Sequence, residues 1–399
     1  MTRLVHTADT HLGYRQYHEE QRRRDFLAAF RSVLEDAIED DVDGVVHAGD
    51  LFHDRRPELD DVLGAVDALR ELREAGIPFL AVVGNHEGTR SAQWVDLFER
   101  LGLAERLDTD GRTVGCVTLY GLDYTPAANR PSLDYEFAPP TGTQTALVSH
   151  GAFQPFEYGD WELSEVLTAS PVEFDIVLLG DNHEPARETV QETPAVYAGS
   201  TERTAADERE PRGYNIVTFD DDGPTVRRRG LSTRPFRFID IELGPAEGGD
   251  QVTQRLRETD VEDAVAIVTI TGAGERVVPA DIEAVGEAEG ALVTRVNDRR
   301  DREGADESGL DVSFADPDAA VDKRVTAEGF SDAARQIDAL VRTDDVANTA
   351  LRDRVHSEVA ALLDEDAAFK QAQGTAKDES GAAEPPDEGD SQVTMEDYL

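Results

Sequence analysis

Leu4-Val5-His6-Thr7-Ala8-Asp9-Thr10-His11 and Gly44-Val45-Val46-His47-Ala48-Gly49-Asp50-Leu51-Phe52-His53 are the stretches on which the fold turns. Each is a short apolar run that passes at once into aspartate and histidine. Such runs read as strands buried on both faces. Three more follow the same plan. Residues 79–83 lead to Gly84-Asn85-His86-Glu87, 146–149 to His150-Gly151, and 176–179 to Gly180-Asp181-Asn182-His183. Amphipathic helical patterns fall at 19–40, 60–75 and 91–104. The alternation predicts an α/β domain whose strand ends carry the chemistry.

The chain has 399 residues, of which 84 are acidic and 39 basic, giving a formal net charge of −45. Its length suggests two or three domains, and 39% hydrophobic residues can build an ordinary core. The only lysines are Lys323, Lys370 and Lys377. This excludes a generic basic nucleic-acid binder but not local basic patches. An acidic excess spread along a chain with clear strand patterns reads as adaptation to molar salt, where the Debye length is only ~3 Å, rather than as disorder. Cys116 is the sole cysteine, so an intrachain disulfide and a cysteine-based zinc site are both excluded. No charged leader precedes the first run and no window reaches membrane-spanning length. A cytoplasmic protein is expected.

After about residue 235 the style changes. Strand patterns at 236–243, 264–271 and 291–296 alternate with helical ones at 251–259 and 280–287. These predict a small second α/β unit. The expected division is a first domain at 1–234, a second at 235–297 and an acidic linker at 298–328. A helical segment at 329–366 and a disordered acidic tail at 367–399 complete it. The helical stripes through Phe330, Ile337 and Leu340 and through Leu351, Val355 and Leu362 suit either a partner or the chain's own body.

The five strand ends hold five of the nine histidines. Their residue types are those of a two-metal hydrolytic centre, in which two cations ~3.5–4 Å apart clamp a phosphate. Cations that close require a shared carboxylate, and Asp50 is the candidate bridge. Mixed imidazole and oxygen donors suit Mn²⁺, Fe²⁺ or Zn²⁺ better than Ca²⁺. The glycines before Asp50, Asn85 and Asp181 are expected to permit the turns. Each fragment alone is common surface or turn chemistry; the five in order are not.

These segments resemble the calcineurin-like metallophosphoesterase superfamily, a β-sandwich flanked by helices. Within it they are most similar to the double-strand-break repair nucleases of the Mre-eleven/SbcD family. The discriminating residues are His6-Thr7-Ala8-Asp9-Thr10-His11-Leu12-Gly13-Tyr14, Gln16-Tyr17, Arg24-Asp25-Phe26, Gly49-Asp50-Leu51-Phe52-His53 with Arg56-Pro57, and Gly199-Ser200-Thr201-Glu202-Arg203. The resemblance spans about residues 1–230. It implies an α/β metallophosphoesterase β-sandwich with a small α/β capping domain that touches DNA, and C-terminal helices. It also implies two Mn²⁺ per subunit, or Mg²⁺. Asp9, His11, Asp50 and His183 would hold the first metal, and Asp50, Asn85, His150 and Asp181 the second. His86 would face the scissile phosphate and His53 the substrate side. The family usually places histidine where this chain has Asp181; an oxygen donor there favours Mn²⁺ or Mg²⁺. DNA ends, a coiled-coil ABC-type ATPase of the Rad-fifty kind docked at 329–366, and a second copy of the chain are the implied partners, with a nucleoid-associated location. Val62, Val66 and Leu69, with Trp94, Leu97, Phe98 and Leu101, are candidates for the dimer seam or for the chain's own core. The runs 22–24, 55–56 and 227–229 of arginine are candidate phosphate contacts. The residues leave two other readings open: a different two-metal phosphatase or phosphodiesterase, and a DNA-repair scaffold that uses metals structurally.

Overall fold

The computed structural model describes residues 1–89 and 92–300. The chain divides into two units, Met1–Arg300 and Asp301–Leu399. The second unit contains the expected linker beyond Arg300, the helical segment and the tail, all outside the described residues. Thr2–Thr7, Gly44–His47 and Phe79–Ala81 lie parallel at the centre of one six-stranded sheet. Val117–Leu122, Gln144–His150, Ile176–Gly180 and Thr193–Tyr197 lie parallel in a second. The outer pairings at Gly213–Asp220 with Gly223–Gly230, at Ala186–Val190, and at Arg112–Val114 are antiparallel.

Period-two alternation explains why these runs are continuously apolar. Leu4, Val46, Leu80, Leu119, Val148 and Leu178 face between the sheets. Their neighbours Val5, Val45 and Phe79 face the helices Glu20–Glu39, Leu59–Glu74 and Trp94–Arg100. Tyr120, Leu147 and Leu179 face the opposite outer core with Leu163 and Val166 of the helix Leu163–Ala169. The result is the helix-flanked β-sandwich that the family resemblance implies. The helix expected over 91–104 is shorter: a reciprocal cap between Gln93 and Asp96 starts it, and left-handed Gly102 (φ 66°) follows its end.

The strands Phe236–Leu243, Val265–Gly272 and Val293–Asp298 form a parallel three-stranded sheet. Helices Gly249–Arg257 and Pro279–Ala288 cover one face, closing a core around Leu243, Leu256, Val268 and Ile282. Phe236, Val265 and Val293 on the other face pack with Tyr17 and Ala206 of the sandwich.

Candidate metal centre

Every expected ligand leaves the carboxyl end of a parallel strand, and the two sheets present those ends side by side. Backbone bonds stitch them together: Asp9 N donates to Gly49 O (3.0 Å), and His11 N to Asp50 O (3.1 Å). Across the sandwich, Asp181 N donates to both Asp9 carboxylate oxygens at 3.1 Å. His150 Nδ1 donates to Ala48 O at 2.8 Å. Asp9 (φ 51°), His11 (43°), Asp50 (56°) and Asp181 (99°) all adopt left-handed backbone. Such conformations cost about 1–3 kcal/mol each and persist where surrounding structure over-determines them.

Turning is only part of the role of the glycines. Gly49 has φ 93° and is a turn residue as expected. Gly84 is required for room: a Cβ there would lie 2.0 Å from Asp50 Oδ1. At Gly180 it would lie 2.2 Å from Ala48 O.

Three donor sets converge among the described residues: Asp9–His11–His183, Asp9–Asp50–His150, and His11–His53–His86. In the first, the Nε2 atoms of His11 and His183 point at each other 3.1 Å apart. His150 Nε2 meets Asn85 Oδ1 at 2.9 Å, Asp181 Oδ1 at 3.4 Å and Asp50 Oδ2 at 3.5 Å. Asp181 is in none of the three sets, yet its carboxylate turns toward His150 rather than away. Asp9, His11, Asp50 and His150 are buried.

The electrostatics fit a cation-binding role. Burial raises Asp9 to about 7, with Asp50 and Asp181 adding to the rise against His150 and His183. Burial would lower His150, but Asp50, Asp181 and Asp9 outweigh it and raise it to about 10. Burial, then the neighbouring histidines, holds His11 well below the usual value. Buried carboxylates this close must be neutralised by a proton or by a metal. The ring and carboxylate donors present fit divalent cations.

His86 is anchored differently. Its backbone N donates to Asp50 Oδ1 (2.9 Å) and its Nδ1 to His53 O (2.8 Å), so Nε2 is the ring's free nitrogen. His86 and Asn85 line a cavity of about 650 Å³ with His53, Asp54, Arg55 and Arg56. His53 stacks on Tyr14, with ring centroids 3.9 Å apart. Glu87 is buried and accepts from Phe52 N (3.1 Å) and Gly84 N (3.3 Å), tying the second and third strand-end loops together.

The arginine runs separate. Arg22 is fully buried and pairs with Asp25 (2.8 Å) and Glu202 (3.3 Å). Arg23 pairs with Asp61 at 2.8 Å. Their expected role as phosphate contacts is therefore corrected: both point inward from the apolar stripe of Phe26 and Phe30. Arg229 is taken by Asp40 (2.6 Å) and Arg228 by the carbonyls of Ala198 and Pro211. Arg55 and Arg56 remain exposed beside His86. Sequence reasoning missed Tyr14 beneath His53. It also missed Glu208, which lies 2.9 Å from His183 Nδ1. Glu208 comes from a loop and follows no apolar run, so it leaves no strand-end signal.

A family model described as calcineurin-like phosphoesterase matches residues 2–185. A DNA double-strand break repair protein Mre11 of Haloferax volcanii is 55% identical, covering 92% of this chain and 83% of that protein. A protein of the same name from Halobacterium salinarum is also 55% identical, covering 92% and 96%. One from Methanosarcina acetivorans is 40% identical, covering 91% and 61%. The two haloarchaeal relatives agree with the salt-adapted reading of the charge. The chain belongs to the Mre11 family of calcineurin-like phosphoesterases, and is a metal-dependent, phosphodiester-hydrolysing nuclease.

Proposed function

We propose that the chain is a Mn²⁺-dependent exo- and endonuclease that processes DNA double-strand break ends with a coiled-coil ATPase of the Rad-fifty kind. The observation that carries this is the convergence of five strand ends on one rim, beside a cavity that Arg55 and Arg56 share with His86. In this reading Asp9, His11, Asp50 and His183 hold one ion. Asp50, Asn85, His150 and Asp181 hold the other. When bound, the ions supply Lewis acidity and positive charge for displacement at phosphorus. The protein supplies the rest. Asp50 Oδ1 fixes the His86 backbone, and the His53 carbonyl fixes its ring. The free Nε2 is then placed to stabilise the transition state or protonate the leaving oxygen. His53, stacked on Tyr14, lines the substrate side. Arg55 and Arg56 meet neighbouring phosphates. Few such cations serve a chain of this charge, so geometry and metals must carry affinity in high salt.

The three-stranded unit at 235–297 is proposed as the DNA-facing cap, and a homodimer as the assembly. The candidates for the seam divide between core and surface. Leu69 and Phe98 are fully buried in the chain's own core. Leu97 (38% exposed) and Leu101 (49%), on and just past one helix, stay exposed, as do Leu59 (71%) and Leu63 (49%) on another, and these four are the proposed seam. Among the described residues no helix is long and apolar enough to cross a membrane.

The test is degradation of linear duplex and hairpin DNA in high KCl with Mn²⁺ or Mg²⁺, for the wild type, His86→Ser and Asp181→Ala. The reading expects Mn²⁺-stimulated cleavage that His86→Ser removes. Intact DNA alongside hydrolysis of a small phosphodiester would overturn the substrate assignment.

A further inference from the structure

We infer that Glu208 is a positioning residue that orients His183 for its metal, an inference that rests on the reading of His183 as a ligand. The His183 ring has two nitrogens, and only one can face a cation. Nε2 faces His11 Nε2 across 3.1 Å. Nδ1 is turned to Glu208 Oε1 (2.9 Å) and Thr204 Oγ1 (2.7 Å). A proton shared with those oxygens leaves the Nε2 lone pair toward Asp9 and His11. A carboxylate on the far nitrogen also makes the ring a better donor.

Glu208 is itself buried, and a buried carboxylate without donors is costly. Besides His183, its donors are local. Thr204 gives its N–H to Oε2 (2.9 Å) and its hydroxyl to Oε1 (2.7 Å). Arg212, also buried, reaches Oε2 at 3.4 Å. The same Arg212 Nη1 donates to the His183 carbonyl (2.8 Å) and to Ser200 Oγ (3.2 Å). Ser200 N donates to that carbonyl at 3.0 Å. Arg203 Nε donates to Glu208 O at 2.8 Å. His183 is thus gripped at ring and backbone by the segment from Gly199 to Arg212. This gives the Gly199-Ser200-Thr201-Glu202-Arg203 motif a physical role: it builds the wall behind one ligand.

The experiment is calorimetric titration of Mn²⁺ into the metal-free full chain in high KCl, comparing wild type, Glu208→Ala, Glu208→Gln and Glu208→Asp. The melting temperature of each metal-free protein is measured alongside. The expected result is two sites in the wild type. One weakens roughly 10–100-fold in Glu208→Ala, while the other keeps its affinity. Glu208→Gln, which keeps the acceptor and loses the charge, falls between them, and Glu208→Asp recovers part of the affinity. If Glu208→Ala does not fold, the Gln variant alone decides. Two unchanged sites in a folded Glu208 variant overturn the inference. A wild type that binds no Mn²⁺ overturns instead the reading of the centre on which it rests.

Discussion

The sandwich and the three-stranded unit both use parallel strands, yet their strand ends differ in kind. The sandwich strands lead into Asp9, Asp50, Asn85, His150 and Asp181, with three of those five in left-handed backbone. The strands of the smaller unit lead into Gly244, Ala273 and Arg299, and residues 235–298 contain no histidine. Its one left-handed non-glycine residue is Asp263 (φ 54°). Strain, buried charge and unpaired polar atoms such as His11 Nδ1 and His47 Nδ1 gather in the sandwich. In the smaller unit Thr294 Oγ1 is the one such unpaired side-chain atom among the described residues. Rules of local consistency are broken where a site is built, so the difference locates function independently of any motif.

The largest expected effect is at His86. His86→Ser should lower cleavage about 10²–10⁴-fold, the range for a general acid or base, while Mn²⁺ stoichiometry by calorimetry stays at the wild-type value. Loss of metal as well would move His86 into the ligand set and blur the contrast with the anchored ligands.

Core truncation sharpens the comparison next. Leu256→Ala in the smaller unit should cost about 2–5 kcal/mol by urea unfolding, with metal affinity of the folded protein unchanged. Leu178→Ala, at the inter-sheet core beneath the site, should cost a similar amount and also weaken metal binding. Equal effects on metal binding would break the separation of roles.

Acid should separate the two regions next. Burial lowers His6 and His47 to about 3, with a backbone bond opposing at His6 and neighbouring charges assisting. Their folded values lie below the unfolded value of about 6.5. Both histidines are neutral in the folded state near pH 7. The stability this represents is present above pH ~6.5 and is lost as pH falls through that value toward 3. In hydrogen exchange of the metal-free protein, the sandwich amides should carry this loss of protection between pH 7 and 5 against the opposite contribution of Asp9, whose raised value of about 7 is relieved by protonation. The smaller unit, which has no histidine, should keep more of its own. His6→Gln should flatten the pH dependence; an unchanged slope would remove His6 from the account.

The smallest effect is at the junction. Arg209 pairs with Asp240 at 2.7 and 2.9 Å and lies over Phe238, but both partners are half exposed. Arg209→Ala should cost no more than about 1 kcal/mol, measured by urea unfolding at two KCl concentrations. A larger loss would mean that the two regions are held together by this pair rather than by the packing of Phe236 and Tyr17.

Much of the centre was legible because its candidate ligands follow apolar runs that alternate between two cores, as Leu4 and Val5 or Leu178 and Leu179 do. That pattern marks parallel strands, and their carboxyl ends mark the site. The outer strands were less legible. Ala186–Val190 is exposed over its middle three residues and carries no apolar face to read. Arg22 misled as part of a basic run. Helical spacing puts it on the stripe of Phe26 and Phe30, and only its partner Glu202, far along the chain, explains why a charge can stand there. The sequence suggests Gly84 and Gly180 as turn residues, while their necessity comes from atoms of other strands. What sequence order hides is contact between distant segments, and Glu208 behind His183 is the clearest case.

The most direct test of the central claim is anomalous diffraction from crystals of the full chain grown with Mn²⁺. The account predicts two peaks per chain, one among Asp9, His11 and His183 and one among Asn85, His150 and Asp181, with Asp50 touching both. A single peak, or two peaks with Asp181 turned away from both, would contradict it.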